Sequence, residues 1–330
     1  MISLFAGIDL GGTTIGGVLA EASGRIVEQE SVPTESHAGP AAVLERIAVL
    51  VERMTAAARA KTSSRVEAVG IGCPGLVDVS RGVSKFFPNL PTQWRDVPIA
   101  ATLAKRLDCP VSILNDVRTA TLGELVFGHG RQADAHAPLT MAFFSIGTGI
   151  GGGLVIDGKL RLGPLGAAGE LGHQTVLLDG PLCGCGNRGC LEALANAPAI
   201  SAEGVRLMLA GQAPKLFEII GGKASLVTPR TIGEAALAGD AGAQEAIDRA
   251  VKYLGVGIAN VVSCLHPQLI VLGGGVAEMG ELLLVPLRRN LHERVGMFPP
   301  DDVRIERSLL GQNAGPLGAV ALALRGAENL

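Results

Sequence analysis

The chain has 330 residues, of which 48% are hydrophobic and 18% are charged, and its formal net charge is −3. This length exceeds the usual size of one hydrophobic core, so we expect two domains in a well-packed protein. The balanced charge offers no basic surface, which argues against a nucleic-acid partner and favours an enzyme that acts on small molecules.

Neither the N-terminus nor any apolar run carries a signal for export or membrane insertion. No basic segment opens the chain, and a charged residue, Asp9, arrives too early for a signal peptide. The apolar run at residues 141–156 is too short and too rich in glycine to span a bilayer. The chain has six cysteines, three of them close together, which fits a reducing compartment better than a disulfide framework. We expect a cytoplasmic protein without a membrane partner.

Apolar periodicity and turn residues predict an α/β chain whose first half opens on a β-meander. The predicted strands of this half are residues 4–9, 15–20, 26–31, 66–72 and 111–114. The predicted helices of this half are residues 41–59, 97–107 and 118–126. Asn115 and Asp116 follow the strand at 111–114 and lie at its C-terminal end, where ligands bind in open α/β sheets.

The second half starts with a hairpin like the first, which indicates one module used twice. The predicted strands of this half are residues 139–146, 154–156, 269–272 and 303–308. The predicted helices are residues 197–210, 231–238, 242–265, 282–295 and 315–324. Residues 217–228 give no clear pattern and are interpreted as an insertion. We expect an N-terminal domain at 1–117, completed by the helix in 315–330, and a C-terminal domain at 118–314.

Glycine-rich hairpins in both halves point to a bound triphosphate. Gly147, Gly149 and Gly152 match the dinucleotide fingerprint, but a strand follows them, so no helix N-terminus would face a pyrophosphate. Backbone N–H groups at a glycine-rich tip still form an anion-binding concavity. A plain glycine-rich turn is the alternative.

The first hairpin adds a carboxylate at its strand end. Asp9 would hold Mg²⁺ directly or through water, unless it only caps the turn. A third glycine-rich turn, after residue 272, would border the nucleotide. The residues predicted to bind nucleotide are Asp9, Gly11, Gly12, Thr13, Gly147, Thr148, Gly149, Gly273 and Gly274.

Three cysteines within eight residues, with a histidine ten positions upstream, predict a metal site. Three thiolates and one imidazole satisfy the tetrahedral preference of Zn²⁺ in a closed structural site. Buried thiols or a disulfide pair are the alternative. The predicted zinc ligands, in a knot at 173–190, are His173, Cys183, Cys185 and Cys190. Glu170 and Glu192 flank this knot and remain available for another ligand.

A kinase that acts on an alcohol needs a carboxylate beside the hydroxyl group to accept its proton. Asp116 is the best candidate, and a helix N-cap is its alternative role. Glu170, His173 and Glu192 then fit as hydrogen-bond partners of vicinal hydroxyls. His173 can serve twice, with one ring nitrogen on the metal and the other toward the ligand.

Together these motifs resemble the ROK sugar kinases, within the superfamily of sugar kinases and actin. The resemblance covers nearly the whole chain, and its most specific parts are the motif Gly-Glu-Leu-Gly-His at 169–173 and the cysteine signature at 183–192. It implies two actin-like (ribonuclease H-like) domains with an interdomain cleft, and a homodimer. It makes Asp116 the catalytic base and assigns sugar binding to Asn89, Asn115, Glu170, His173 and Glu192.

Two positions depart from the family pattern. Thr14 stands where these proteins usually carry Lys, which removes a charge near the phosphates. Gln93 replaces the usual Gly before Trp94, in the loop that reaches the sugar. Some family members are repressors with an N-terminal winged helix, and we expect none here because Asp9 follows so soon after the first residue.

The sequence therefore predicts an ATP-dependent hexose kinase that converts glucose to glucose 6-phosphate. One alternative is a kinase for another hexose: N-acetylmannosamine, N-acetylglucosamine, fructose or allose. The other is a sugar-sensing regulator without turnover, which the loss of charge at Thr14 favours.

Overall fold

The computed structural model describes residues 2–87, 90–92, 94–132 and 138–330. The chain forms two compact units. The first consists of Met1–Leu139, Gly153–Gly169 and Ser308–Leu330, and the second of Thr140–Gly152 and Glu170–Arg307. The chain therefore passes between the units after residues 139, 152, 169 and 307.

The chain combines strands and helices, as the sequence predicts for an α/β fold, and opens on the predicted β-meander. In the first part of the chain they are β1 (Ile2–Leu10), β2 (Thr14–Ala20), β3 (Ile26–Pro33), α1 (Pro40–Lys61), β4 (Ser64–Cys73), β5 (Leu76–Asp78), β6 (Val83–Phe86), α2 (Ile99–Leu107), β7 (Val111–Asn115) and α3 (Asp116–Val126). In the rest of the chain they are β8 (Met141–Ile146), β9 (Ile150–Ile156), β10 (Lys159–Leu160), α4 (Leu191–Ala195), α5 (Ala197–Leu209), α6 (Pro214–Ile219), α7 (Pro229–Leu237), α8 (Ala241–Leu265), β11 (Leu269–Gly273), α9 (Glu281–Arg294), β12 (Arg304–Arg307) and α10 (Ala314–Arg325).

The first sheet has the strand order β3-β2-β1-β4-β7. β1 pairs antiparallel with β2 and parallel with β4, and β4 pairs parallel with β7. In this register Asp9 lies opposite Gly72, and Cys73 lies opposite Asn115. The C-terminal ends of β1, β4 and β7 therefore meet at one edge, which brings Asp9 and Asp116 to the same place.

α10 packs directly on the first sheet because two glycines remove the side chains between them. A Cβ atom on Gly70 would lie 1.9 Å from the carbonyl oxygen of Ala319, and one on Gly7 would lie 2.1 Å from that of Pro316. A buried apolar core that includes residues of α1 and α2 packs with the strands of the same sheet.

The second sheet has the order β10-β9-β8-β11-β12, with β8, β11 and β12 parallel. α8 buries a stripe of small and branched residues, including Ala246, Ile247, Leu254 and Ile258, as its helical periodicity predicts. Among the described residues, no helix combines the length and the apolar composition that a membrane crossing needs.

The structure divides the chain differently from the boundary that we place at residue 117. α3 and the residues up to 139 belong to the first unit. The physical reason is close packing of α3 on α10. A Cβ atom on Gly318 would lie 1.8 Å from the carbonyl oxygen of Thr119, and one on Gly123 would lie 2.6 Å from that of Ala314.

Two further details differ from the sequence analysis. The segment 217–228, which gives no clear pattern in the sequence, contains the end of α6 and a 3-10 turn, Ala224–Leu226. The second glycine-rich turn is shorter than predicted, because β9 already begins at Ile150. A strand does follow that turn, which confirms that the fingerprint there is not a dinucleotide motif.

Candidate active site

Asn115 and Asp116 occupy the junction between β7 and α3. Asn115 is the N-cap of the helix, because its Oδ1 accepts the backbone N–H groups of Val117 (3.1 Å) and Arg118 (3.2 Å). Its Nδ2 donates to the carbonyl oxygen of Gly75 at 3.0 Å. The capping role considered for Asp116 thus belongs to its neighbour. Asp116 is the first residue of the helix, and its Oδ1 accepts the N–H of Val117 at 2.8 Å.

Asp9 lies at the end of β1 in an acidic, largely enclosed environment. Burial, and then the charge of Asp116, raise its pKa from 3.8 to about 6. The same two causes, with a contribution from Asp9, raise the pKa of the fully buried Cys73 thiol beyond its ordinary range. The repulsion that Asp116 exerts on the carboxyl group of Asp9 is one that a divalent cation would relieve.

The first glycine-rich hairpin is held by a threonine that the sequence analysis missed. The N–H of Gly11 donates to the carbonyl oxygen of Thr14 at 3.0 Å, which closes the turn. Thr34 is fully buried, its hydroxyl donates to the carbonyl oxygen of Gly11 at 2.7 Å, and its N–H donates to that of Thr13 at 2.9 Å. Thr14 begins β2 and is exposed.

The second glycine-rich turn is also fixed by backbone and side-chain bonds. The N–H of Gly147 donates to the carbonyl oxygen of Gly149 at 2.9 Å. Asn196, the N-cap of α5, donates from Nδ2 to the carbonyl oxygen of Thr148 at 2.8 Å. Nothing in the local sequence pattern pointed to Asn196, since it is separated from the turn by 48 positions.

The third glycine-rich turn has a packing explanation besides the predicted nucleotide contact. Gly274 has a φ of +79°, and a Cβ atom there would lie 2.5 Å from the carbonyl oxygen of Ile146. That carbonyl also accepts the N–H of Val276 at 3.0 Å. Glycine is therefore required at this position by close backbone approach.

The four predicted metal ligands come together, as the cysteine signature predicts. Their ligand atoms, one each from His173, Cys183, Cys185 and Cys190, all lie within 4.8 Å of one another. Cys183 Sγ is 3.7 Å from His173 Nδ1, and Cys185 Sγ is 3.7 Å from Cys190 Sγ. In a tetrahedron with metal–sulfur bonds of about 2.3 Å, neighbouring sulfurs are about 3.8 Å apart. The donor set and its spacing thus fit a closed tetrahedral metal site.

Backbone bends and electrostatics also suit a cation at this cluster. Gly189, with a φ of +67°, allows the bend before Cys190, since a Cβ atom there would lie 1.6 Å from the carbonyl oxygen of Leu177. Without a cation, burial raises the pKa of the Cys183 thiol, whereas the N–H of Asn187 lowers that of Cys185. A bound divalent cation is what holds several neighbouring thiolates in their ionised form.

The two ring nitrogens of His173 face different partners. Nδ1 lies toward Cys183, whereas Nε2 is 3.9 Å from Glu170 Oε2. Glu170 is about half exposed, with 49% of its side chain accessible. This arrangement leaves Nε2 beside an accessible carboxylate, and the dual role of the histidine stays a prediction.

Glu192 lies between the second glycine-rich turn and the cysteine cluster. Its Oε2 accepts the N–H of Ile150 at 2.9 Å, and its Oε1 is 3.6 Å from Cys183 Sγ. The carboxylate therefore contacts both the glycine-rich turn and the cysteine cluster, which belong to the second unit. Its sugar contact remains a prediction.

Asn89 and Gln93, in the predicted sugar loop, lie outside the described residues. On either side of them, Phe87 and Trp94 are buried and stack with ring centroids 5.5 Å apart. Leu90 is buried in the same core, which anchors the described part of this loop.

Sequence comparison relates the chain to one family along nearly all of its length. The ROK family profile matches residues 5–326. A glucokinase from Thermotoga maritima is 35% identical, with 96% of this chain and 96% of that protein covered. A xylose repressor from Caldicellulosiruptor bescii is 30% identical, with 96% of this chain and 77% of the repressor covered.

Structural comparison agrees. The crystal structure of a ROK family glucokinase from Streptomyces griseus, in complex with glucose and AMPPNP, has a TM-score of 0.82 and 33% sequence identity, and the match covers 98% of this chain and 100% of that one. Because the family profile spans residues 5–326 and a relative 35% identical aligns over 96% of the chain, the chain belongs to the ROK family.

Proposed function

We propose that this protein is an ATP-dependent hexose kinase that converts glucose and ATP to glucose 6-phosphate and ADP. The observation that carries the proposal is the position of Asp116, a carboxylate at the C-terminal ends of the parallel strands β1, β4 and β7. The N-cap of the helix that begins at Asp116 is Asn115. The glucokinase relatives, which align over nearly the full chain, support glucose and ATP as the substrates.

In the proposed reaction, Asp116 accepts the proton of the glucose 6-hydroxyl as that oxygen attacks the γ-phosphorus of ATP. The bond from the γ-phosphorus to the bridging oxygen breaks, and ADP leaves with the electron pair. Asp9, at the same sheet edge, would hold a divalent cation. The positive charge of that cation would offset the repulsion between the two carboxylates and keep Asp116 ionised.

We assign sugar binding to Asn115, Glu170, His173 and Glu192. The assignment of Glu170 and His173 is supported by the accessible carboxylate of Glu170, which lies 3.9 Å from Nε2 of His173. The support for Asn115 is its fixed position one residue before the base. Asn89 is part of the same proposal by family resemblance alone.

We assign the triphosphate to the two glycine-rich hairpins, at Asp9–Thr13 and Gly147–Gly149. The support for this assignment is that Thr34 and Asn196 donate hydrogen bonds to carbonyl oxygens of the two turns, which holds the turn backbones in place. Gly273 and Gly274 complete the proposed nucleotide site. Asp9 would hold Mg²⁺, which would neutralise part of the phosphate charge.

We assign Zn²⁺ to the cluster of His173, Cys183, Cys185 and Cys190, as a structural ion. Three thiolates and one imidazole leave no open position for substrate, so the metal would shape the segment that carries Glu170 and Glu192. We also propose a cytoplasmic homodimer, and light scattering of the purified protein at a mass of two chains tests the dimer.

The experiment that tests this function measures ADP release with a panel of sugars. The purified protein is incubated with ATP and Mg²⁺ and with glucose, fructose, allose, N-acetylglucosamine or N-acetylmannosamine. Release that depends on glucose supports the proposal, and faster release with another sugar reassigns the substrate. Omission of Mg²⁺ should abolish the release with every sugar.

A second candidate function is a sugar-sensing regulator without turnover. The xylose repressor relative favours it, and so does the neutral Thr14 where the family usually carries Lys. A regulator would show sugar-dependent increases in melting temperature with no ADP release. The kinase remains the preferred proposal because the carboxylate of Asp116 at the strand end fits a base for proton transfer, and sensing needs no base.

A further inference from the structure

Arg118, in the first turn of α3, is a buried cation that the proposed mechanism does not use. Only 2% of its surface is accessible. Burying a charged group is costly unless charge-assisted hydrogen bonds compensate. The hydrogen bonds of this buried guanidinium must therefore offset the cost of removing its charge from water.

Three donors of the guanidinium hold two separate segments of the first unit. Nη1 donates to Asn115 Oδ1 at 3.1 Å. Nε donates to the carbonyl oxygen of Ala168 at 3.1 Å, and Nη2 donates to that of Ala167 at 3.3 Å. The planar fork of arginine matches two consecutive carbonyl groups, which the single nitrogen of lysine does not.

The segment that receives two of these bonds has little regular structure of its own. After β10 it consists of a 3-10 turn, Pro164–Gly166, with Leu165 in the left-handed region (φ 56°). Gly169 follows with a φ of +89°. Backbone bonds such as that from the N–H of Ala168 to the carbonyl oxygen of Leu162 (2.8 Å) shape the segment locally, and the bonds from Arg118 tie it to α3.

Both ends of the Arg118 network adjoin residues that we assign to the sugar. Asn115 precedes the proposed base, and Ala168 lies two positions before Glu170 in the chain. One guanidinium thus fixes the N-cap next to the base and the backbone that leads into Glu170.

We propose that Arg118 is a positioning residue for the sugar: it sets the placement of Asn115 and of the 167–168 backbone, and through them sugar affinity. The inference rests on the proposed function for its kinetic consequence. Loss of the fork would weaken binding of glucose and leave binding of ATP unchanged, since the nucleotide hairpins have other anchors in Thr34 and Asn196.

The test compares Arg118→Lys and Arg118→Met with wild type, and uses Arg288→Lys as the matched control. Arg288 also donates from Nε and Nη2 to a backbone carbonyl, that of Ile305, at 3.2 and 3.0 Å, but it lies on α9, outside the proposed site. Steady-state kinetics give KM for glucose and for ATP. Hydrogen–deuterium exchange of peptides from residues 162–170 reports the anchor itself, without turnover.

For Arg118→Lys we expect KM for glucose to rise about tenfold or more, with KM for ATP within about twofold, and a larger glucose effect for Arg118→Met. Amide exchange at 162–170 should become faster in both variants. Arg288→Lys should change neither KM nor exchange in this segment. If Arg118→Met does not fold, Arg118→Lys alone decides the outcome.

Unchanged exchange at 162–170 in folded Arg118→Lys would overturn the inference, and so would a parallel rise of both KM values. Wild-type protein that releases no ADP with any hexose contradicts the proposed function instead. In that case the exchange comparison, together with glucose affinity measured by calorimetry, still decides whether Arg118 is the anchor.

Discussion

The side-chain oxygen of Asn115 accepts the backbone N–H of Arg118 at 3.2 Å, which makes Asn115 the N-cap of α3. Asp116, between them, is thereby held at the first position of the helix. The position of Asp116, the proposed base, is set by the end of β7, which precedes it, and by the N-cap residue Asn115. Its position follows from elements within one unit.

Replacement of Asp116 by Asn should remove catalysis while keeping the shape of the site. We expect kcat to fall by about 10³-fold, because general-base catalysis contributes roughly 10²–10⁴-fold. Glucose affinity should stay within about tenfold, or roughly 1.4 kcal/mol. A coupled ADP assay and calorimetry measure both. The control is Asp248→Asn, on an exposed face of α8, where the carboxylate accepts a hydrogen bond from the side-chain amide of Gln244 at 2.9 Å. A kcat within tenfold of wild type would remove Asp116 from the mechanism.

Replacement of Asn115 by Ala should destabilise the protein. The variant loses the N-cap of α3 and the bond to the carbonyl oxygen of Gly75. Cap deletions cost about 0.5–2 kcal/mol of unfolding free energy, and the buried location places this one near the upper end. Chemical denaturation measures the change. Asn329→Ala, which removes an exposed side chain near the C-terminus, should change the stability by less than about 0.5 kcal/mol.

Replacement of Asp9 by Asn should change the pH dependence of stability. Burial and Asp116 raise the pKa of Asp9 to about 6, so the folded protein binds this proton more tightly than the unfolded chain does. The ionised carboxylate therefore costs stability as pH rises from about 4 through 6, by at most about 3 kcal/mol. In the absence of Mg²⁺, the melting temperature of the variant minus that of wild type should be larger at pH 7.5 than at pH 5. An equal difference at both pH values would contradict the raised pKa.

Replacement of Cys185 by Ser should remove the metal from the cysteine cluster. We expect freshly purified wild type to hold about one zinc per chain, and the variant to lose most of it together with at least tenfold in glucose affinity. Cys264→Ser serves as the control, because Cys264 is an exposed cysteine on α8 outside the cluster. Metal analysis by mass spectrometry measures the zinc. Wild-type protein without zinc, but with full glucose affinity, would contradict the assignment.

The features that the sequence predicts best are those whose residues lie close together in the chain. The cysteine cluster spans few positions, so its spacing alone brought His173 and Cys190 into one predicted site, and the structure places their ligand atoms together. The hairpins at Asp9 and Gly147 could be predicted for the same reason, since the glycines that indicate each tight turn lie next to one another in the chain.

The features that the sequence does not reveal depend on long-range contacts. Thr34 reaches Gly11 across 23 positions, and Arg118 reaches Ala168 across 50. A single threonine or arginine in a helix or loop is common, so nothing in the local pattern separates these two from exposed residues. The placement of α3 in the first unit likewise follows from its glycine contact with α10, near the end of the chain.

The central claim is that Asp116 supports transfer of a phosphoryl group from ATP to glucose. Phosphorus-31 NMR of a mixture of protein, glucose, ATP and Mg²⁺ observes the product directly. Wild type should build up the resonance of glucose 6-phosphate as ATP is converted to ADP, and Asp116→Asn should leave both glucose and ATP unchanged over the same time. The account is contradicted if wild type binds glucose but forms no glucose 6-phosphate, or if the variant forms it at a comparable rate.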